Sequence, residues 1–253
     1  MYPYGQGSLV TWTYIELEDV DSTQTAAKVI ASQGAPEGTT VVAKTQSSGV
    51  GRLGRKWVSP VGGLYMSFIL RPGRITRPEL ASLVAAVATV EGLRKTTGLQ
   101  PSIRWPNDVM VGGKKLGGVI AEAQASKLGV DEIIIGIGVN CNAPLPKIGE
   151  LGEATSAAQE WGRPIEIAEL RQVTLDSFSA LYDRWKAGED MQEVWGKHVA
   201  TPGKLVSIKL KTDETPFSAK ATRIREDGAL IVSKGGTIVA VRPEDMERLT
   251  ELR

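Results

Sequence analysis

Two short motifs decide how this sequence is interpreted: Arg104-Trp105-Pro106-Asn107-Asp108, followed by Lys114-Lys115-Leu116-Gly117-Gly118. They predict a strand, a tight polar turn and a cationic hairpin that leads into a buried glycine-rich strand. Each half alone is typical of ordinary structure, since Asn and Asp favour turns and lysines protect sheet edges. Their close spacing instead favours a site that holds an anion, with Asn and Asp oxygens suited to Mg²⁺.

A second unusual stretch lies upstream, where residues 46–57 read QSSGVGRLGRKW. Residues 49–54 match G-x-G-x-x-G, but no helix start follows them and Pro60 would interrupt one, which excludes a dinucleotide-binding fingerprint. As a loop, the glycines let backbone amides approach a ligand, and Arg52 and Arg55 supply charge for phosphate or carboxylate. A solvated surface loop explains the composition equally well, and the nearby hairpin favours the binding loop.

The bulk composition narrows the class of protein. The chain has 253 residues, 42% of them hydrophobic and 23% charged, which is typical of a globular protein with one large and one small domain. A net charge of +1 argues against nucleic-acid or membrane binding. The single cysteine, Cys141, and the lack of a signal peptide favour the cytoplasm. The single histidine, His198, argues against a Ser-His-Asp triad or a histidine zinc site, and we expect it at the surface or a domain boundary.

The hydrophobic periodicity predicts an α+β fold, because strands and long helices do not alternate strictly. The predicted strands and helices are Trp12–Leu17, Thr25–Gln33 (helix), Thr39–Lys44, Gly63–Leu70, Arg77–Thr97 (helix), Gly117–Gln124, Glu132–Asn140, Glu166–Lys186 (helix) and Met191–Val199 (helix). Beyond Thr201-Pro202-Gly203, four short alternating segments predict a small β-barrel. These segments are Leu205–Lys211, Phe217–Glu226, Ala229–Lys234 and Thr237–Val241, with a final turn at Pro243–Leu249.

At these motifs the chain resembles the biotin protein ligases, which attach biotin to a lysine of a carrier protein. That family shows a Gly-Arg-rich loop after a Gln, a Lys/Arg-Trp-Pro-Asn-Asp turn followed by a lysine and glycines, and a later Gly-x-Gly-x-Asn strand. Here they correspond to residues 46–57, 104–118 and 136–140, and Asp21-Ser22-Thr23 matches an early Asp-Ser-Thr. Order and spacing agree from about residue 14 to residue 142.

The sequence departs from the family pattern at two positions. Val50 stands where the family usually has an arginine, which implies a loop that closes less tightly or uses another cation. Gln24 stands where an asparagine is usual, a milder change.

The resemblance implies a class II aminoacyl-tRNA-synthetase-like catalytic domain at residues 1–202, with a mixed sheet and flanking helices. It implies a small C-terminal SH3-like β-barrel at residues 203–253. There is no room before Trp12 for the DNA-binding domain of repressor-type members, so we expect a monofunctional ligase.

The implied reaction joins biotin and ATP into biotinyl-5′-AMP with release of pyrophosphate. Biotin then passes to a lysine of a biotin carboxyl carrier protein, a subunit of acetyl-CoA carboxylase or a related carboxylase. The implied catalytic residues are Lys115, Asp108 and Arg52. The implied biotin-binding residues are Ser22, Thr23, Gln46, Gly49, Gly51, Arg52, Lys115, Gly117, Gly118 and Gly138. The implied ATP-binding residues are Arg52, Arg55, Trp57, Asn107, Lys115 and Asn140. Mg²⁺ is expected to be held mainly by the ATP phosphates, with its protein ligands undetermined.

Two other functions remain open at this point. A lipoyl or octanoyl ligase or transferase shares the broad fold, and a cysteine-dependent transferase would need Cys141. That residue ends an apolar strand with no histidine near it in sequence, which favours a structural thiol. A non-catalytic biotin sensor would not need Lys115 or Asp108. A homodimer is a further expectation from the family.

Overall fold

The computed structural model describes residues 10–73, 75, 77–126, 129–143, 145 and 154–252. Within these residues the chain has an α+β fold with two sheets, as the sequence predicts. The α-helices are α1 (Thr23–Ser32), α2 (Ala81–Thr97), α3 (Ala157–Trp161), α4 (Ile167–Lys186) and α5 (Gln192–His198). No helix in these ranges is long and apolar enough to span a membrane.

The larger sheet has the strand order β1-β2-β3-β7-β6-β5-β4. Its strands are β1 (Thr13–Val20), β2 (Thr39–Gln46), β3 (Leu64–Leu70), β4 (Ser102–Arg104), β5 (Asp108–Val111), β6 (Lys114–Ser126) and β7 (Gly129–Val139). It is mixed, because β1 and β2 are parallel and the other neighbours are antiparallel. Every residue of β3 is buried, which explains its continuous apolar sequence.

Helices cover both faces of this sheet. Helices α2 and α4 pack closely, and a side chain at Gly92 would lie 2.3 Å from Thr174 Oγ1, so only glycine allows this approach. Helix α2 ends where predicted, at Gly98 with φ +74°. Helix α1 packs over the other face through a small cluster that includes Ala27 and Ala31. The opening between α1 and the strands beneath it forms part of the cavity described below.

The smaller sheet is antiparallel, with the strand order β11-β10-β9-β8-β12. Its strands are β8 (Leu205–Leu210), β9 (Phe217–Ile224), β10 (Leu230–Lys234), β11 (Thr237–Val241) and β12 (Met246–Glu251). The predicted final turn at Pro243–Leu249 is wrong over most of its length. Residues 246–251 form β12 because the first strand of the sheet, β8, offers an edge that pairs with them.

Three further local predictions differ from the structure. Helix α1 begins at Thr23 rather than Thr25, and Ser22 occupies its N-cap position without donating or accepting a capping bond through its side chain. Helix α3 was not predicted, because five residues are too few for a periodic pattern. His198 is buried, with 7% exposure, and its Nδ1 lies 2.8 Å from the Val194 carbonyl. Of the two positions expected for it, the surface is wrong and the domain boundary stays a prediction.

Candidate active site

A cavity of about 340 Å³ lies where the two predicted motifs meet. Its walls are the start of α1, the loop between β2 and β3, the β4–β5–β6 hairpins, the end of β7 and strand β12 of the smaller sheet. The hairpin is anchored from beneath by Trp105, whose Nε1 donates to the Gly228 carbonyl at 2.9 Å and whose backbone N donates to Thr201 Oγ1. The two sheets therefore enclose this cavity together.

One part of the wall is a cluster of uncharged polar groups, which we call the neutral cluster: Ser22, Thr23, Gln24, Gln46 and Ser67. Thr23 donates to Gln46 Oε1 from its backbone N at 2.8 Å and from its Oγ1 at 3.1 Å. Thr23 Oγ1 also lies 2.9 Å from Ser67 Oγ. The contacts hold the Gln46 amide in one orientation, so its place beside the cavity is fixed by the end of β2 and the start of α1.

Buried polar atoms without a partner mark the same region. Ser22 Oγ, Gln24 Oε1 and Trp57 Nε1 are buried without a hydrogen-bond partner, and all three residues line the cavity. Buried polar atoms are normally satisfied, and an exception at a cavity wall points to a ligand. The unpartnered Ser22 hydroxyl is also the reason why the N-cap of α1 lacks its usual side-chain bond.

Another part of the wall is a group of three charges, which we call the charged cluster: Arg104, Asp108 and Lys115. Lys115 Nζ lies 2.5 Å from Asp108 Oδ1, and Arg104 Nη2 lies 2.6 Å from Asp108 Oδ2. Lys115 Nζ also lies 5.5 Å from the centroid of the Trp57 ring. Burial disfavours the charge on Asp108, but Lys115 and Arg104 outweigh burial and hold the pKa of Asp108 below its ordinary value.

The loop between β2 and β3 contacts the smaller sheet through its arginines. Arg52 Nη1 donates to the Pro243 carbonyl at 2.7 Å, and Arg55 Nη2 donates to the Glu247 carbonyl at 2.9 Å. Burial, together with the neighbouring Arg55, lowers the pKa of Arg52. Leu53 between them has φ +59°, which is unusual for a residue other than glycine. The loop is thus held over the cavity by the segment that leads into β12.

The charge of the cavity wall is strongly one-sided. A single carboxylate, Asp108, stands among the described lining residues, against six cations: Arg52, Arg55, Lys56, Arg104, Lys115 and Arg248. A chain with a net charge of +1 has no general positive field, so this excess is local. Such a wall suits a ligand with several negative charges, because concentrated positive charge in a partly enclosed site attracts anions strongly.

Most of the predicted site residues surround this one cavity. The residues that line it are Ser22, Thr23, Gln46, Gly51, Arg52, Arg55, Trp57, Asn107, Asp108, Lys115, Gly118, Gly138 and Asn140. Gly49 and Gly117 are not among the lining residues. A side chain at Gly49 would lie 2.5 Å from the Trp57 carbonyl, and one at Gly117 would lie 2.8 Å from the Gly138 carbonyl. Both glycines let the backbone pass close to residues that do line the cavity, Trp57 and Gly138.

The asparagines and Trp57 are held by the strands around the hairpin. Asn107 Nδ2 donates to the Val119 carbonyl, and Asn140 Nδ2 donates to the Thr155 carbonyl. Trp57 packs against Gly138, where a side chain would lie 2.7 Å from its indole ring. The later glycine motif is therefore needed so that the ring can lie against the sheet.

Several lining residues were missed in the sequence-based assignment: Gln24, Ser67, Arg104, Gly136, Met246, Arg248, Leu249 and Thr250. Ser67 could have been identified from the sequence, because it is a polar residue within the apolar strand β3. Arg104 and Gly136 lie inside the quoted motifs without a role of their own. The sequence does not indicate a site role for the residues of β12, because their approach to the cavity depends on how the smaller sheet is placed.

Two other candidate groups lie apart from this chemistry. Burial raises the pKa of Cys141 to about 12, and its side chain is fully buried. The described residues contain no group of three or more His, Cys, Asp or Glu side chains that could hold a metal ion. Asp108, which with Asn107 was expected to offer oxygens to Mg²⁺, already pairs with two cations.

Comparison with known proteins agrees with the motifs. A family model described as the biotin/lipoate A/B protein ligase family matches residues 16–140. The bifunctional ligase/repressor BirA of Bacillus subtilis is 36% identical over 251 residues, 96% of this chain and 77% of that protein. The biotin--[acetyl-CoA-carboxylase] ligase of Paracoccus denitrificans is 32% identical, over 85% of this chain and 92% of that protein.

A solved structure shows the same architecture. The biotin protein ligase from Aquifex aeolicus, in complex with biotin and ATP, superposes with a TM-score of 0.82 and 29% identity. The match covers 94% of this chain and 99% of that one, so it includes both sheets. By its motifs, its fold and these similarities, the chain belongs to the biotin protein ligases of the biotin/lipoate A/B protein ligase family.

Proposed function

We propose that the protein is an ATP-dependent ligase that makes biotinyl-5′-AMP and then transfers biotin to a lysine of a biotin carboxyl carrier protein. The observation that supports this most directly is the position of Lys115, whose ammonium lies in a cavity wall with six cations and one carboxylate. Two anions, a carboxylate and a phosphate, must approach each other in this reaction. Concentrated positive charge lowers the barrier to that approach.

In the first step a biotin carboxylate oxygen attacks the α-phosphorus of ATP. The bond between that phosphorus and the α,β-bridging oxygen breaks, and pyrophosphate leaves with the electron pair. We assign Lys115 to the reacting carboxylate and α-phosphate, and Arg52 and Arg55 to the remaining phosphates, because positioning and charge stabilisation are the main requirements of phosphoryl chemistry.

In the second step a carrier lysine amine attacks the acyl carbonyl of the adenylate. The bond from the carbonyl carbon to the AMP oxygen breaks, AMP leaves with the electron pair, and the attacking nitrogen releases its proton to solvent. We assign Asp108 to orienting the amine. Its lowered pKa makes it a weak base, so we do not assign it the deprotonation of that amine.

For the uncharged part of biotin, the neutral cluster offers the matching chemistry. We assign the ureido ring to Ser22, Thr23 and Gln46, with backbone at Gly51, Gly118 and Gly138 close to the ligand. Gly49 and Gly117 contribute to the shape of this wall, and their biotin-binding role stays a prediction. Trp57, Asn107 and Asn140 are assigned to the nucleotide side.

We propose that Mg²⁺ enters with the ATP phosphates. Among the residues that the structure describes, the wall has no group of carboxylates that could hold it, whereas its cations fit a phosphate chain that brings its own metal. When bound, Mg²⁺ neutralises part of the phosphate charge.

The finer fold assignment is also part of the proposal. We assign residues 1–202 to a class II aminoacyl-tRNA-synthetase-like catalytic domain and residues 203–253 to an SH3-like barrel. The barrel assignment is supported by a four-strand meander, β8 to β11, whose first strand also pairs with the last strand, β12.

The acceptor and the location follow from the proposed reaction. The Paracoccus relative is named for acetyl-CoA carboxylase, so we propose a carboxylase carrier domain as acceptor. We propose no nucleic-acid or membrane partner, because a net charge of +1 gives the chain no general positive field. Use of ATP and the single buried thiol favour the cytoplasm. A homodimer remains an expectation, which light scattering at several protein concentrations would test.

The test is pyrophosphate release from Mg-ATP with biotin, with lipoate in a parallel reaction, followed by transfer to a carrier domain. We expect release with biotin and labelling of one carrier lysine. Release with lipoate alone would place the chain among lipoyl ligases. Tight biotin binding without release would show a sensor.

A further inference from the structure

The charged cluster contains one more cation than its carboxylate needs. Asp108 Oδ2 accepts from Arg104 Nη2 at 2.6 Å and from Arg104 Nε at 3.2 Å. Its other oxygen, Oδ1, lies 2.5 Å from Lys115 Nζ. Each cation therefore holds its own oxygen of a single carboxylate.

The proposed reaction requires this arrangement to change. Lys115 must bring its ammonium to the biotin carboxylate and the α-phosphate, and so must loosen its bond to Asp108. The Asp108 side chain is only 20% exposed. Leaving a mostly buried carboxylate without a counter-ion is costly, and this cost opposes the release of the lysine.

We propose that Arg104 is a positioning residue for adenylation, which keeps Asp108 paired while Lys115 moves to the reacting anions. The inference rests on the proposed function and deepens it, since Arg104 acts through Asp108 and has no assigned contact with substrate. Without Arg104, Asp108 holds Lys115 as its only cation in this cluster. The lysine is then withheld from the reaction.

The local fold keeps Arg104 in this position. Arg104 and Asp108 are directly opposite residues of the β4–β5 pair, joined by the turn Trp105-Pro106-Asn107. The buried Trp105 anchors that turn against the smaller sheet. Lys115 comes from the next strand, β6, and its ammonium also lies near the Trp57 ring. Arg104 is thus fixed by the hairpin, while the longer lysine side chain is the one that can change partners.

A purely structural role predicts something different. A cross-strand ion pair also stabilises a hairpin, and its loss would weaken the hairpin whichever partner is removed. In that case removing Asp108 as well could not restore activity. If Arg104 acts by competing with Lys115 for Asp108, removing Asp108 frees the lysine and does restore activity.

The experiment is biotin-dependent exchange of pyrophosphate into ATP, which reports the first step alone. It compares the full-length protein with Arg104→Met, Arg104→Lys, Asp108→Asn and the double variant Arg104→Met/Asp108→Asn. We expect Arg104→Met to lower kcat about tenfold with little change in the KM for biotin. Arg104→Lys should recover most of the loss, and the double variant should be several-fold faster than Arg104→Met, about as fast as Asp108→Asn alone.

The control is Arg184→Met, which removes the exposed ion pair between Arg184, in the last turn of α4, and Glu189 just beyond the helix, and should exchange like the wild type. Thermal unfolding of each variant separates lost structure from lost positioning, since the double variant should regain exchange without regaining stability. A double variant no faster than Arg104→Met would overturn the inference and leave the proposed function intact. A wild-type protein without exchange would overturn the proposed function itself, and the inference with it.

Discussion

The neutral and charged clusters line the same cavity with opposite chemistry. Thr23, Gln46 and Ser67 are joined by hydrogen bonds among uncharged groups, and the polar wall near them includes the unpartnered atoms of Ser22 and Gln24. The charged cluster is paired throughout, with each Asp108 oxygen held by a cation. The neutral cluster is held in place and keeps hydrogen-bonding atoms without a partner. The charged cluster has all its charges paired, and the proposed reaction requires Lys115 to exchange its partner.

This difference separates selection from reaction. A rigid wall with unpartnered hydrogen-bonding atoms binds more tightly a ligand that supplies the missing partners than a ligand that does not. A cation that can change partners, as proposed for Lys115, stabilises the negative charge that develops during the reaction. We therefore expect substitutions in the neutral cluster to change biotin affinity, and substitutions among the cations to change turnover or ATP use.

The largest effect is expected for Lys115→Ala. Removal of its ammonium leaves the biotin carboxylate and the α-phosphate to repel each other, so we expect kcat for pyrophosphate exchange to fall by about 100-fold or more. Biotin binding measured by calorimetry should fall much less.

Lys114→Ala is the matched control, because the neighbouring lysine pairs with Glu160 and does not line the cavity. It should retain exchange close to that of the wild type. Equal losses in the two variants would show that the hairpin responds to any lost lysine, and the comparison between the clusters would fail.

Each cluster was predicted in part from the sequence: two of the three charged residues and three of the five neutral ones. Asp108 and Lys115 lie within a few residues of each other, on a hairpin whose turn residues are visible in the sequence. Gln24 and Ser67 come from α1 and β3, and their meeting depends on how the helix packs on the sheet. Ser22 shows the limit most clearly: its N-cap position could be predicted, but its unused hydroxyl could not.

In the fold, too, local features were predicted from the sequence and features that depend on distant packing were not. Strands with strong apolar runs and helices with clear stop signals, such as α2 before Gly98, were predicted within a few residues. Strand β12 was predicted as a turn, because its residues only become a strand beside β8. The contribution of β12 to the cavity, and the carbonyls that hold Arg52, therefore could not be predicted from the local sequence pattern.

A second prediction concerns the arginines of the loop. Arg52 contacts two carbonyls, those of Pro243 and Glu247, and is partly buried, whereas Arg55 contacts the Glu247 carbonyl and is exposed. We expect Arg52→Met to raise the KM for ATP about tenfold and Arg55→Met to raise it about threefold, with biotin affinity less affected. Initial rates of exchange at varied ATP give both values. The reverse order would indicate that contact with the smaller sheet does not position these charges.

A third prediction tests the neutral cluster at Gln24. Its Nε2 donates to Glu122 Oε1 and to the Ile134 carbonyl, two acceptors that fix the amide and leave Oε1 without a donor. A ureido N–H can supply that donor. We expect Gln24→Met to weaken biotin binding about fivefold, with kcat for exchange nearly unchanged.

The control for Gln24→Met is Gln100→Met, at an exposed glutamine that does not line the cavity and whose Nε2 donates to the Gly98 carbonyl. Calorimetry with biotin should give the wild-type affinity for this control. A Gln24→Met variant that binds biotin normally but turns over slowly would show that the neutral cluster does not select the ligand, and would break the division of roles.

The smallest effect is expected at Cys141, and it tests whether either cluster is the centre of the chemistry. A cysteine-dependent acyl transferase would need this thiol as a nucleophile, yet the side chain is fully buried and burial raises its pKa to about 12. At pH 8 the thiol is protonated, so iodoacetamide should not label the folded protein. We expect Cys141→Ala to keep pyrophosphate exchange within about twofold of the wild type, because a buried thiol contributes packing and no charge. A folded Cys141→Ala variant that loses exchange and carrier labelling together would move the reaction away from Lys115. The contrast between a selecting cluster and a reacting cluster would then have no basis.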